Sequence, residues 1–186
     1  GRRENSSAIL AELYNNASLK QYMTARIEAN VRDFQAHLQL GIVLFKEEAF
    51  AAAKQSLQTA YELLPTYTGY PSPPLVLAQI YEQEGDVEAQ LIQLEILLEN
   101  QQHDYGAAVT LAKSALNKQQ NRKADYYLNR ALEVDPYKEE VHALRARYAE
   151  AIGDAAMEVT EREVLLSLDV DDPVEAQTDL AEAYLK

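Results

Sequence analysis

Cysteine and tryptophan are absent from the 186 residues, and glycine and proline occur only six times each. Without cysteine there is no disulfide framework, no thiolate metal site and no cysteine nucleophile, and the chain suits an oxidising or a reducing compartment equally. Scarce glycine beside abundant Leu, Ala, Glu and Gln favours helix throughout. No apolar run approaches the length needed to span a bilayer. No stretch has the basic, apolar and small-residue order of a signal peptide. The chain begins at Gly1 rather than Met, so it reads as a fragment whose targeting signal can lie outside it. Basic residues are also few, 17 against 30 acidic ones, for a net charge of -13. Their distribution is uneven. Residues 1–32 hold five bases and three acids, whereas residues 150–186 hold two bases and eleven acids. Such an acidic surface repels phosphate backbones, so no nucleic-acid partner is expected. It fits a solvated face or a basic partner. What is present is 47% apolar and 25% charged, enough for one folded domain with a continuous core.

Chemistry-bearing motifs are equally sparse. His37, His103 and His142 are the three histidines, and no two fall within one helical turn, so metal-ligand spacing such as HExxH is missing. Asp104 reads as an N-cap. The acidic run DVDDP (169–173) lacks the glycine and distal glutamate of a calcium loop, and reads as a turn with Asp172 capping the next helix. No GxSxG, phosphate-binding glycine loop or dinucleotide fingerprint occurs. The carboxylates fall mainly on exposed helix faces rather than in a protected cleft. No catalytic residue, metal or cofactor is expected, and the fragment reads as non-enzymatic.

What the sequence does contain is a repeat. Four windows follow one plan: HLQLGIVLFKEEAFAAAKQSLQTAYELLP (37–65), LVLAQIYEQEGDVEAQLIQLEILLEN (75–100), VTLAKSALNKQQNRKADYYLNRALEVDP (109–136) and HALRARYAEAIGDAAMEVTEREVLLSLD (142–169). Each has an apolar helical stretch with a small residue, a polar turn and a second helical stretch. The small residues Gly41, Ala78, Ala112, Ala146 and Ala181 are spaced by 37, 34, 34 and 35 residues. A second series, Ala60, Leu97, Ala131 and Leu165, falls near the end of each second stretch. Antiparallel helices joined by a short turn approach closely only where one presents a small side chain, with residues such as Leu57 and Leu94 filling the grooves beside it. Turns are expected at Gly85-Asp86 and Gly153-Asp154, and Pro65 and Pro136 follow and stop their second helices. His37 and His142 hold the same register position, four residues before the small residue, and read as interhelical packing residues.

This pattern resembles the tetratricopeptide repeat family. Leu40, Gly41, Ala53, Leu57, Ala60 and Pro65 match it in the first unit, and Leu111, Ala112, Ala124, Leu128, Ala131 and Pro136 in the third. The second unit keeps Ala78, Tyr81 and Gly85 with Gln90 in place of alanine. The fourth keeps Ala146, Gly153 and Asp154, but has Glu158 and Arg162 at its small and large apolar sites. The resemblance implies an all-α fold, a right-handed α-solenoid of antiparallel helix pairs. Its units are expected at about 34–66, 71–104, 105–138 and 139–172, with a partial fifth at 174–186. Residues 1–32 are expected to form an N-terminal cap or degenerate repeat, with AILAELYNN and SLKQYMTARIEAN as a helix pair. Two readings of that segment stay open, a cap on the end of the stack and an internal ligand in the groove.

The resemblance also implies a function. First helices of the family line a concave groove that binds peptides or helices of partner proteins. Its groove positions fall on Gln35, Leu38, Ile42, Phe45 and Lys46 in the first unit, and on Leu75, Gln79, Glu82 and Gln83 in the second. They fall on Val109, Lys113, Leu116 and Asn117 in the third, and on Arg147 and Glu150 in the fourth. Leu38 and Ile42 occupy positions that the chaperone-binding subgroup gives to its carboxylate clamp, so that clamp is absent. Gln79, Lys113 and Arg147 read as polar anchors; Leu38, Ile42 and Phe45 either line the groove or pack against the N-terminal segment. The primary expectation is a protein-binding scaffold. Alternatives are the accessory repeat region of a larger enzyme, such as a bacterial peptidase or transferase, and a homo-oligomer formed through the unpaired last helix with Leu180 and Tyr184. The loop PTYTGYPSPP (65–74), with Tyr67 and Tyr70, reads mainly as a repeat boundary lengthened by three residues, with a binding role as its alternative.

Overall fold

A computed structural model of the chain describes residues 2–100, 103–168 and 173–185, with side chains from residue 16 onward except that of Pro173. The DVDDP turn and its Asp172 cap therefore lie outside the described residues. Every regular element among the described residues is an α-helix: α1 (Arg2–Ala29), α2 (Phe34–Lys46), α3 (Phe50–Leu63), α4 (Pro73–Glu84), α5 (Val87–Glu99), α6 (Tyr105–Asn117), α7 (Asn121–Val134), α8 (Glu139–Ile152), α9 (Ala155–Ser167) and α10 (Pro173–Tyr184). They fall into two compact units, Gly1–Asn100 with α1–α5 and Gln101–Lys186 with α6–α10. α1 packs on α2 within the first unit.

Local chemistry sets the helix ends. Gly85 and Gly153 adopt φ of +74° and +76°, the left-handed conformation that costs glycine nothing and ends α4 and α8. The aspartate after each glycine caps the next helix, Asp86 accepting from the Ala89 N–H and Asp154 from the Met157 N–H, both at 3.0 Å. Both turns were expected from sequence. Two equivalent turns carry no such signature: Glu48 and Gln119 take up φ of 57° and 56° between α2 and α3 and between α6 and α7. Asp104 caps α6 through the Ala107 N–H at 2.8 Å, as expected. Ser72 is the N-cap residue of α4, and Pro73 and Pro74 fill its first turn, where missing N–H groups are no loss.

Within a unit the helices pack as antiparallel pairs, α2 with α3, α4 with α5, α6 with α7 and α8 with α9. Inside each unit a second helix also meets the first helix that follows it, as α3 meets α4 and α7 meets α8. No helix touches one more than two places along the chain among the described residues. The small residues stand at the close approaches: Ala78, Ala112 and Ala146 are at most 2% exposed, and Gly41 is buried. A Cβ built on Gly41 would meet Leu57 Cγ at 2.6 Å, so α2 and α3 come closer than alanine allows. The first-unit core joins Leu38, Ala53, Leu57, Ala60, Val76, Leu77 and Ile80 from α2, α3 and α4. Full burial of a side chain such as Leu57 contributes about 2 kcal/mol.

The N-terminal segment departs from expectation. Instead of a helix pair it is one continuous 28-residue helix, about twice the length of any other. AILAELYNN and SLKQYMTARIEAN carry no glycine, proline or other breaker between them, so nothing forces a turn. Among the described residues α1 contacts α2 and not α4. A ligand lying between the first helices would touch both, so the internal-ligand reading is set aside.

The junction into α2 is held by Asp33. Its carboxylate accepts from the Ala36 N–H at 3.0 Å and from Arg26 Nε at 2.9 Å. The Ala36 hydrogen bond, then the Arg26 guanidinium against a cost of burial, hold its acid below the ordinary 3.8. A lowered folded value means this cap stabilises α2 above the unfolded value and is lost as pH falls through the folded one. Acidification below the normal aspartate range is thus expected to speed amide exchange at Ala36. Asp33→Asn, which keeps an oxygen acceptor without the titrating charge, flattens that dependence; equal acid sensitivity in both proteins would exclude Asp33 as its source.

Candidate functional site

In each unit the first helices lie side by side, α2 against α4 and α6 against α8. Their inner sides are in the core, which leaves one outward stripe per helix. Gln35 and Lys46 on α2, and Gln79, Glu82 and Gln83 on α4, are exposed there. Lys113 and Asn117 on α6, and Arg147 and Glu150 on α8, are exposed in the second unit. Ile42, Phe45 and Leu116 are half-buried and form apolar shoulders.

Leu38 does not belong to this set. It is 1% exposed and a member of the first-unit core, packed among α3 and α4 residues where no partner can reach it. Leu75 and Val109, three residues before their small residues like Leu38, are buried too. The register position is correct, but it points between helices rather than outward. Ile42 and Phe45 pack against that same core, and the Phe45 ring lies 6.3 Å from Phe50 of α3. Their support therefore comes from α3 and α4.

Lys113 is not an isolated anchor. Its Nζ donates to Glu140 Oε1 of α8 at 2.5 Å, with both side chains nearly half exposed. Glu140, absent from the sequence-derived set, holds Lys113 extended across the two first helices. Tyr105 lies at the start of α6, and burial, then the Glu140 and Asp135 carboxylates, push its phenol up to about 12. It stays neutral throughout the physiological range. Glu140 lies 27 residues after Lys113, short of a full repeat, so repeat register did not point to it.

The lengthened loop divides its two tyrosines. Tyr67 is half-buried with its ring 4.7 Å from Phe34, against the core, while Tyr70 is 82% exposed. Asn100 Nδ2 donates to the Pro65 carbonyl at 2.9 Å and ties the loop to the end of α5.

A second polar cluster lies inside the α8/α9 pair. Glu161, 7% exposed, accepts from Arg145 Nε at 2.6 Å and lies 2.7 Å from His142 Nδ1. Arg145 also donates to Asn129 of α7 at 2.9 Å. Glu158, 1% exposed, is paired with Arg162 at 3.2 Å, and Arg162 donates to Asp179 of α10 at 2.6 Å. Arg162 stands where α3, α5 and α7 have Leu57, Leu94 and Leu128, and Glu158 where α3 and α7 have Ala53 and Ala124. A buried His–Glu pair invites comparison with a catalytic dyad, but His142 Nε2 lies 2.9 Å from the Pro136 carbonyl, so both ring nitrogens are engaged and neither faces a cleft. The same bond recurs at His37, whose Nε2 lies 3.0 Å from the carbonyl of Val31, again six residues back. His142 is buried against α9, as its register implied, whereas His37 is half-buried and its bond reaches only the link before α2. Among the described residues no group of His, Asp and Glu could hold a metal ion, and no helix is long and apolar enough to cross a membrane.

No protein-family model matches the chain, and no curated protein matches it in sequence. Solved structures do match. YrrB, a TPR protein with an unusual peptide-binding site, superposes with a TM-score of 0.67 at 16% identity, over 88% of this chain and 82% of that one. The fold is that of the tetratricopeptide-repeat proteins. MamA AMB-1 shares the tetratricopeptide-repeat fold with a TM-score of 0.61 at 18% identity, covering 91% of this chain and 97% of its own. A tetratricopeptide repeat protein from Parabacteroides merdae gives 0.59 at 16% identity, over 97% of this chain and 70% of that one.

Proposed function

We propose that this chain is a non-catalytic scaffold whose first-helix faces bind a peptide or helical segment of a partner protein. The observation that carries the reading is the Lys113–Glu140 bridge across α6 and α8, with exposed Asn117 and Arg147 on the same two helices. A surface ion pair of this exposure adds little to folding. As a fixed pair of donor and acceptor beside the half-buried Leu116, it suits a segment that offers both polar and apolar contacts. The first unit offers the same mixture, with Gln79 and Gln83 beside Ile42 and Phe45. The peptide-binding site ascribed to YrrB is a precedent within the fold.

Peptides selected from a displayed random library on the wild-type chain test this reading. Lys113→Ala or Gln79→Ala is expected to weaken the unit's selected peptides about tenfold, with helical content unchanged. Undiminished binding by both variants would place the site elsewhere on the molecule.

A further inference from the structure

The turns that join the two helices of each pair differ in charge. Eight-residue windows that begin five residues after Gly41, Ala78, Ala112 and Ala146 share one register. Residues 46–53 hold one base and two acids, residues 83–90 three acids and no base, and residues 151–158 two acids and no base. Residues 117–124, across the α6–α7 turn, hold Lys118, Arg122 and Lys123 and no acid at all. All three cations are exposed, and among the described residues neither Lys118 nor Arg122 has an ion-pair partner.

Folding does not ask for these charges. Arg122 is the second residue of α7, at the helix end where the backbone dipole favours acids and disfavours bases. Asp86 and Asp154 cap α5 and α9 from the corresponding turns, whereas the N-cap residue of α7 is Gln120, which makes no side-chain cap bond. A turn that forgoes an aspartate cap and sets Arg122 at the wrong end of a helix breaks local rules with no return in stability, as surfaces kept for binding do. Tyr126, 51% exposed, follows Arg122 by one helical turn and so shares its face. The patch joins cations, the exposed amides of Gln119 and Gln120, and one aromatic ring.

We propose that the α6–α7 turn docks a short acidic segment of a partner protein, with Lys118 and Arg122 pairing its carboxylates and Tyr126 covering an apolar residue among them. Charge selects this occupant, because the patch is a basic island on a chain of net charge -13. Extent selects a protein segment over a nucleic acid. The corresponding turn of the next pair, α8–α9, carries Asp154 and no base, so a polyanion that runs on past the patch meets repulsion. A short acidic run fits within it.

Titration of the 186-residue chain with hexaglutamate at low salt, followed by backbone amide shifts, tests this. The peptide is expected to perturb residues 118–126 first, and to lose about tenfold in affinity as salt is raised to physiological strength. Arg122→Glu, which sets an acid where the helix favours one, should weaken hexaglutamate about tenfold while the thermal midpoint holds or rises. Lys138→Glu, an exposed charge reversal in the link before α8, should leave binding unchanged. The proposal is overturned if hexaglutamate does not bind, if its shifts centre elsewhere, or if Lys138→Glu weakens it as much as Arg122→Glu. A lower thermal midpoint in Arg122→Glu overturns it too, by giving the cation a structural role. So does hexathymidylate that binds more tightly than hexaglutamate, which makes the patch a nucleic-acid contact. Self-association of the wild type that Arg122→Glu abolishes would make a second copy the occupant, and is the last result that overturns it.

Discussion

Replacing Arg162 with alanine is expected to destabilise the second unit by about 3 kcal/mol, far more than an ordinary helix-surface change. Glu158 is 1% exposed and bonded to Arg162, and Arg162 in turn reaches Asp179 of α10. Removing the guanidinium takes a positive partner from the Glu158 carboxylate inside the helix interface and cuts the tie to α10. Reversing the polar choice altogether should behave differently. Glu158→Ala with Arg162→Leu restores the small and large apolar residues of α3 and α7, and leaves Asp179, whose side chain is 47% exposed, to water. A buried ion pair replaced by packed hydrocarbon is commonly neutral or stabilising. Urea denaturation of the three proteins decides the matter. A single variant as mild as a surface substitution, or a double variant worse than the single, would contradict this account of the pair.

The second large effect is expected at Gly41. Adding a methyl group there helps the helix by about 1 kcal/mol in isolation, but its Cβ would stand 2.6 Å and 2.8 Å from Leu57 side-chain carbons and 3.3 Å from the Leu57 backbone nitrogen. Leu57 is 0% exposed within the first-unit core, so it has nowhere to turn. Overpacking wins. Gly41→Ala should cost about 2 kcal/mol and Gly41→Val about 3 kcal/mol. Shortening Leu57 to alanine opens the missing space, so Gly41→Ala should cost much less in that background, a non-additivity that a double-mutant cycle measures. Strict additivity would show that the two side chains do not compete for the same volume.

The sequence made the helix pairs legible because close approach demands small residues at fixed intervals, and turns with Gly-Asp announce themselves. Gly41, Ala78, Ala112 and Ala146 all lie where that reasoning placed them. The equivalent turns at Glu48 and Gln119 were less visible, since their left-handed backbone is imposed by the helices on either side rather than by residue type. α1 was misread as two helices because apolar spacing marks a face and not an end, and only a breaker marks an end. The candidate site was less legible than the fold. Leu38 has a groove position in the repeat register, yet burial depends on the neighbouring helices, which one helix's pattern does not encode. Glu158 and Arg162 appeared in sequence as a departure from the repeat. That they satisfy each other across one helical turn became evident only from their geometry.

Because, among the described residues, no helix touches one more than two places along the chain, folding closes mainly short loops. Closure entropy is then recovered almost as soon as it is lost, and low contact order of this kind accompanies folding in about microseconds to milliseconds. Speed has a protective side. A helix pair that finds its neighbour early leaves its apolar face uncovered only briefly, so the nascent chain offers little time for misassociation before its own next helix arrives.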